Sequence, residues 1–218
     1  MHDISFLFLL FISYSFIGWL FETSVCSIRA KRFVDRGFLL GPLCPIYGFS
    51  ALIFIYLLED YAYDPLILFV LSTVIASIME YITSYILEKL FKVRWWDYSH
   101  LPFNINGRVV LAYSTTFGLM GLLLVYIVNP GYESFILSLN NSIYTVALVI
   151  AIILAADLYI TGKILFSIRR NVKIMLKDQT EEINLAVMKY LTEQVRLTKR
   201  LIKAFPNLKP STIYKKNS

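Results

Sequence analysis

Long apolar stretches, separated by short polar connections, dominate the pattern of this chain. A transmembrane helix needs about 20 mostly apolar residues to cross a hydrocarbon core about 30 Å thick. Five stretches meet that requirement, and charged residues are rare inside them. The pattern therefore predicts an all-α, polytopic membrane protein with five transmembrane helices over residues 4–28, 38–58, 65–87, 109–128 and 142–167.

The composition supports this class. Hydrophobic residues make up 57% of the 218 residues and charged residues 17%, whereas soluble domains contain roughly 45–50% and about 25%. An ordinary soluble domain, a disordered chain and a disulfide scaffold are excluded on these grounds. The first apolar stretch has no basic segment before it and exceeds the apolar core of a signal peptide, so we expect it to be a retained helix.

The positive charges predict the orientation of the helices. All 21 Lys and Arg residues lie in the connections after the first and third stretches, or at the end of the fifth stretch and beyond it. Lys and Arg concentrate on the cytoplasmic side of membrane proteins. The amino terminus should therefore lie outside and the carboxyl terminus in the cytoplasm. The net charge of +6 then fits contact with anionic inner-leaflet lipids and gives no reason to expect nucleic-acid binding.

Three acidic residues interrupt the predicted spans: Glu22, Glu80 and Asp157. An ionisable side chain at the centre of a membrane costs at least about 2.5–3.5 kcal/mol and usually faces the bundle interior or water. All three acids fall in the cytoplasmic half of their spans. Long basic side chains near the cytoplasmic helix ends could reach them: Arg36, Arg108 and Lys163. The acids either form one polar cluster that faces a cytoplasmic vestibule or are satisfied separately by local partners.

The start of the second stretch contains an unusual concentration of glycine and proline between Arg36 and Gly48. Proline removes a backbone donor, and irregular backbone at membrane depth is tolerated only where it is buried in protein or lines a cavity. Two interpretations follow. The favoured one is a turn at the membrane surface that starts the helix at about Pro42, and the other is a re-entrant segment that faces the vestibule.

The connection between the third and fourth stretches carries a second motif: Trp95, Trp96, Asp97 and Tyr98. Trp and Tyr favour the membrane interface, and we prefer that role to a stacking site for a ligand. Asn104 and Arg108 stand just before the fourth stretch. They could bind a phosphate or carboxylate at the start of a helix, where the amide donors and the helix dipole favour anions. Equally, they could cap that helix.

The chain should divide into three parts. Residues 1–168 form the bundle, and residues 169–205 combine helical spacing of apolar residues with many charges, which predicts an amphipathic cytoplasmic helix. Residues 206–218 resemble a disordered basic end. No P-loop motif and no recognised catalytic motif is found, and two His residues cannot build a multi-histidine metal site. We therefore expect no cofactor, no metal and no catalytic residue, and we do not favour an enzyme.

Five ordered motifs nevertheless carry a family resemblance: Gly18-Trp19-x-x-Glu22, the run from Arg36 to Gly48, Glu80-Tyr81, Trp95-x-Asp97-Tyr98-Ser99 and Phe103-Asn104-x-x-Gly107-Arg108. Over about residues 5–160 the chain resembles the bacterial ABC-transporter type IV, or CmpB-like, membrane proteins. The resemblance implies a multi-pass permease subunit of the bacterial cytoplasmic membrane that works with an ATP-binding subunit encoded elsewhere.

Three functions are compatible with these features. A transport permease with a polar vestibule open to the cytoplasm is favoured, and a homodimer is expected because five helices offer little room for a pathway. The second is a membrane scaffold or sensor that recruits a partner through the predicted tail helix. The third is a membrane enzyme that modifies lipid head groups, with Asn104 and Arg108 holding the phosphate.

Overall fold

The computed structural model describes residues 3–91, 93–138, 142–175 and 209–210. Its helices are α1 (Ile4–Ala30), α2 (Pro45–Leu58), α3 (Pro65–Phe91), α4 (Leu111–Leu123), α5 (Asn129–Ser138) and α6 (Ser142–Met175). A 3-10 turn (Glu59–Tyr61) follows α2, and a π-helical turn (Leu124–Val128) joins α4 and α5 into one continuous helix. The described residues thus form five helices, and the all-α prediction is confirmed.

Four of these helices are long and apolar enough to cross a membrane: Ile4–Ala30, Pro65–Phe91, Leu111–Ile136 and Ser142–Phe166. The remaining helix, α2, has only 14 residues, which corresponds to a rise of about 21 Å and is short of a hydrocarbon core about 30 Å thick. A multi-pass membrane protein is therefore supported. The prediction of five full-length transmembrane helices is corrected to four, with one short helix between the first and the second of them.

The predicted helix over residues 38–58 is wrong for its first seven residues, because the helix begins only at Pro45. Proline is well placed at the first position of a helix, since its missing N–H would have no partner there. The residue before a proline is pushed out of the helical region, and Cys44 indeed has φ −117° and ψ 88°. Residues 38–44 therefore stay irregular.

The predicted loop over residues 129–141 is also wrong for most of its length, because helix continues to Ser138. Pro130 would normally break such a helix, since its ring clashes with the carbonyl four residues earlier. Here the π-helical turn lies directly before Asn129 and Pro130. A π turn widens the helix by one residue, which relieves the clash and lets the helix resume.

Short strands complete the fold. In the connection between α3 and α4, strand β2 (Asn104–Ile105) pairs antiparallel with β3 (Val109–Val110). The turn contains Asn106 at φ 52° and Gly107 at φ 66°, which is the Asn-Gly pair that two consecutive positive φ values favour. A second pair joins β1 (Val93–Arg94) to β4 (Lys209–Pro210).

Close packing of α1 against α2 positions the polar residues. A Cβ atom at Gly18 would collide with the ring of Tyr47, and one at Gly48 would collide with Ser15 Oγ. Small residues allow membrane helices to approach closely in this way. An apolar cluster between α1, α2, α5 and α6 includes Phe6, Leu10, Tyr14 and Ile136, and it lies toward the amino-terminal end of α1.

Most of the predicted tail lies outside the described residues. Helix α6 continues through residue 168, where the sequence analysis placed the end of the bundle, and ends at Met175. The predicted amphipathic helix beyond that point, and the predicted disordered end apart from Lys209–Pro210, fall in undescribed parts of the chain.

Candidate functional site

The chain turns back along α1 after that helix ends, in a stretch that we call the re-entrant segment (residues 34–44). The Val34 N–H donates to Ser27 Oγ at 2.9 Å, and the Cys44 N–H donates to the Ser15 carbonyl at 3.0 Å. Ser27 and Ser15 are separated by about 18 Å along a helix axis. The segment thus reaches the middle of α1, and the predicted start of the helix at about Pro42 is corrected to Pro45.

Asp157 of α6 binds the re-entrant segment through its backbone. Its Oδ1 accepts the Leu40 N–H at 2.8 Å and the Thr161 hydroxyl at 2.9 Å, and its Oδ2 accepts the Gly41 N–H at 2.7 Å. Hydrogen bonds to an ionised carboxylate are short and strong. Asp157 therefore fixes the position of the segment by accepting hydrogen bonds from two of its backbone amides. Lys163, one of the bases expected to reach the intramembrane acids, lies over the ring of Tyr159 at 4.5 Å.

Glu22 of α1 is held by two partners that come from different elements. Arg36 Nε of the re-entrant segment lies 3.2 Å from Glu22 Oε2, and the Tyr47 hydroxyl of α2 donates to Glu22 Oε1 at 2.7 Å. Arg36, one of the three bases expected to reach the intramembrane acids, is thus paired with Glu22. Both members of the ion pair keep some contact with solvent, with side-chain exposures of 26% for Glu22 and 19% for Arg36.

Glu80 of α3 is more deeply buried, with a relative exposure of 6%. The side chain of Tyr98, from the connection after α3, hydrogen-bonds to its carboxyl group, and Glu22 interacts with it electrostatically. Its other oxygen, Oε2, is buried without a hydrogen-bond partner. Buried polar atoms are nearly always paired, so an unpaired carboxyl oxygen inside a membrane helix requires an explanation.

These residues form one connected group, which we call the polar centre: Glu22, Arg36, Tyr47, Glu80 and Tyr98. Tyr98 interacts electrostatically with Glu80, Glu22 and Arg36. Burial, followed by the two carboxyl groups, raises the pKa of the Tyr98 phenol above its ordinary value. The hydroxyl therefore keeps its proton and acts as the donor to Glu80. The predicted polar cluster thus contains Glu22 and Glu80, while Asp157 serves the re-entrant segment.

Arg108 belongs to a separate ionic network at the end of α3. Arg108 Nη2 and Arg94 Nε lie 2.9 Å and 3.0 Å from the same oxygen of Glu88, and Arg108 Nη1 donates to Ser84 Oγ at 3.0 Å. The carboxylate of Asp97 lies 3.9 Å from Arg94 Nη1. The predicted reach of Arg108 toward an intramembrane acid is therefore corrected: its ion-pair partner is Glu88, which the sequence analysis did not select.

Of the two tryptophans of the connection, Trp95 is buried and Trp96 is half-buried. Trp95 is 3% exposed, and its ring meets Phe38 of the re-entrant segment edge-on at 5.3 Å. Trp96 Nε1 donates to the Arg108 carbonyl at 2.9 Å. Trp95 thus joins the re-entrant segment to the connection after α3 instead of lying at the lipid interface.

Asn104 stabilises the hairpin from within. Its Nδ2 donates to the Leu101 carbonyl at 2.8 Å, and its Oδ1 accepts the Gly107 N–H at 2.9 Å. The amide of Asn104 and the guanidinium of Arg108 are both occupied by protein partners, which does not favour an anion site. They do not cap α4 either, since its N-cap residue is Val110 and no side chain caps it. Within the described residues, no group of three or more His, Cys, Asp and Glu is placed to hold a metal ion.

Sequence reasoning missed three residues of these networks: Tyr47, Glu88 and Thr161. Tyr47 lies in the run from Arg36 to Gly48, but nothing in that run marks it as a partner of Glu22. Thr161 is uncharged, and its local pattern gives no signal. Glu88 could have been found, because it is the one acid among several bases around the end of α3.

Comparison with known proteins places this arrangement in a family. Residues 9–162 match the family described as "Putative ABC-transporter type IV". The chain belongs to that family. The resemblance predicted from the five motifs is thereby confirmed, and the type IV match contains the polar centre, the re-entrant segment and Asp157. No curated protein and no solved structure matches the chain.

Proposed function

We propose that this type IV family member is a permease subunit of the bacterial cytoplasmic membrane and that its transport pathway passes the polar centre. Family membership and four long apolar helices support this class. The observation that carries the proposal is the Glu80 carboxyl group, which is buried in α3 with one oxygen unpaired. Acidic residues inside membrane helices usually mark a pathway for a substrate, an ion or a proton.

The broken second crossing supports the same class. Helix α2 rises about 21 Å and the re-entrant segment covers about 18 Å, so together they are long enough to cross the membrane once. Interrupted helices at the centre of a bundle form the binding sites of many transporters. With this crossing the chain passes the membrane five times, the amino terminus lies outside, and all Lys and Arg residues fall on the cytoplasmic side.

The proposed cytoplasmic face offers surfaces for the partners of a permease. Arg29, in the last turn of α1, and Lys31 and Arg32, just after it, are exposed, where they would meet anionic lipid head groups. Phe33 and Phe103, from two different connections, are 74% and 81% exposed. Exposed aromatic side chains at a polar surface are typical of protein interfaces, so these two would contact a separate ATP-binding subunit.

The test is purification of the tagged full-length chain from bacterial membranes in mild detergent, with co-purifying proteins identified by mass spectrometry. An ATP-binding subunit in near-stoichiometric amount is expected, and the mass of the complex measures whether the permease is a homodimer. Intact complexes without any ATP-binding protein would contradict the proposal.

Alanine variants locate the contact. Replacing Phe33 and Phe103 by Ala should reduce recovery of the ATP-binding subunit. Phe135→Ala is the matched control, because Phe135 is 56% exposed but lies in α5, at the proposed outer end of the bundle. Equal recovery from all variants would exclude this docking surface. No observation of comparable weight favours the scaffold, and the occupied donors of Asn104 and Arg108 do not support the lipid-modifying enzyme.

A further inference from the structure

We propose that Glu80, together with Tyr98, forms a proton-binding site inside the bundle, at which Glu80 carries a proton at neutral pH and exchanges it with the cytoplasm. The ligand of this site is a proton, and the site requires no ATP-binding subunit and no particular transported substrate. Proton binding can therefore be tested apart from transport, while the exchange with the cytoplasm rests on the orientation proposed above.

The charges of the polar centre do not balance when both of its acids are ionised. Its two acids, Glu22 and Glu80, face one base, Arg36, and Arg36 is paired with Glu22. The other titratable groups around Glu80 and Glu22 are neutral phenols and thiols: Tyr47, Tyr98, Tyr113, Cys26 and Cys44. With both acids ionised, the centre would hold one uncompensated negative charge. Such a buried charge is strongly unfavourable, and protonation of the acid removes it.

The ionic network at the end of α3 does not supply the missing positive charge. Arg108 contacts Ser84, one helical turn from Glu80, but it shares Glu88 with Arg94. Arg94 also lies near Asp97. Two bases and two acids balance each other there, so the network is neutral as a unit. Asp35, in the re-entrant segment, adds a further acid and accepts the Trp19 indole N–H at 2.8 Å.

Glu80 offers a ligand only one free oxygen atom. Tyr98 hydrogen-bonds to the carboxyl group, and Oε2 is left without a partner in a fully buried position. One free oxygen can hold a proton, whereas hard metal cations such as Ca²⁺ take 6–8 oxygen ligands. The described residues around Glu80 contain no cluster of three or more metal-binding side chains. The site thus has the chemistry for a proton and not for a metal cation.

The Glu22–Arg36 pair provides a route by which Glu80 can exchange its proton. The Glu22–Arg36 pair is partly exposed, while Glu80 behind it is buried, and the two acids interact electrostatically. A proton that arrives from the cytoplasmic side would pass the exposed pair and reach Glu80 beside Tyr98. Ionisable chains of this kind form proton relays in membrane proteins.

An apolar carbodiimide tests the site, because it reacts with protonated carboxylic acids in apolar surroundings. The acid proton moves to a carbodiimide nitrogen while the carboxyl oxygen bonds to the central carbon, and the resulting O-acylisourea rearranges to a stable N-acylurea. The full-length chain in membranes is treated with dicyclohexylcarbodiimide at neutral pH, and labelled peptides are identified by mass spectrometry. An adduct on Glu80 but not on Glu22 is expected, and labelling should decline as the pH rises.

Two conservative variants should shift this decline in opposite directions. Glu22→Gln removes the neighbouring negative charge, so ionised Glu80 becomes more favourable and labelling should be lost at lower pH. Tyr98→Phe removes a hydrogen bond that stabilises the ionised form, so labelling should persist to higher pH. A merely structural role for Glu80 predicts no such opposite shifts.

Two results of the labelling experiment would contradict the proton-binding site. Absence of an adduct on Glu80 in folded protein at neutral pH, or protection by sodium ions at constant pH, would overturn the proposal. Infrared spectroscopy gives an independent reading: the carbonyl band of a protonated carboxylic acid should be present at neutral pH in the unmodified protein and missing in the isosteric Glu80→Gln variant. Thermal unfolding of that variant checks that the fold is retained.

Discussion

The backbone N–H of Gly41 donates a 2.7 Å hydrogen bond to the Asp157 carboxylate, although 116 positions separate the two residues in the sequence. Helix α6 otherwise buries little of its apolar surface against the rest of the described chain. This contact joins the re-entrant segment near the start of the chain to the last membrane helix. The bond thus determines both where the segment lies and where α6 attaches.

Replacing Asp157 by Asn should destabilise the protein by about 1.5–3 kcal/mol, the range for hydrogen bonds made to a charged group. An amide has one acceptor oxygen for two backbone donors, and its NH₂ group would face an N–H. Thr161→Val is the matched control, because it removes only one of the three hydrogen bonds to Asp157. Thermal unfolding in detergent measures both changes. An Asp157→Asn effect no larger than that of Thr161→Val would contradict the role of Asp157.

Alanine at Gly18 or Gly48 should disrupt the contact between α1 and α2. The added Cβ at Gly48 would lie 2.5 Å from the Phe11 carbonyl oxygen, which belongs to the backbone and cannot move aside. Overpacking of this kind costs roughly 1–3 kcal/mol or more. Gly162→Ala is the control, since no atom lies within 4 Å of its Cβ position. Comparable unfolding temperatures for the three variants would show that the helices are not packed this closely.

Replacing Glu88 by Gln should release the hairpin from α3. Arg94 and Arg108 are each 7% exposed, and loss of Glu88 would remove the acid that pairs with Arg108 and leave Arg94 with Asp97 at 3.9 Å. Removing one member of a buried ion pair costs about 3–5 kcal/mol. Limited proteolysis within residues 95–108 should become faster, while Glu59→Gln, at an exposed acid, should change nothing. Unaltered cleavage in Glu88→Gln would show that Glu88 does not hold the hairpin.

Single cysteines test the proposed orientation. In a variant with Cys26 and Cys44 replaced, Asp60→Cys should react with a membrane-impermeant maleimide in intact spheroplasts, because the connection after α2 is proposed to lie outside. Lys31→Cys should react only after the membrane is permeabilised. Both positions are exposed, so any difference in their reaction with the maleimide should come from the membrane barrier alone. The reverse pattern would invert the topology.

The sequence alone determined the class, the four long helices and the family. A run of apolar residues long enough to cross a membrane is a local property, and it can be read without knowledge of any contact. The pairing of Glu22 with Arg36 was also predictable, because both lie near the turn after α1 and few other bases are within reach.

Only the tertiary structure decided where α2 begins and what the buried charges contact. Both alternatives for residues 36–48 satisfied the local pattern, and the choice depends on donors from Leu40 and Gly41 that meet Asp157. Arg108 likewise pairs with Glu88 because the hairpin folds back onto α3. A hydrophobic pattern specifies which side chains avoid water, but not which distant polar atoms meet, since that depends on how the helices pack.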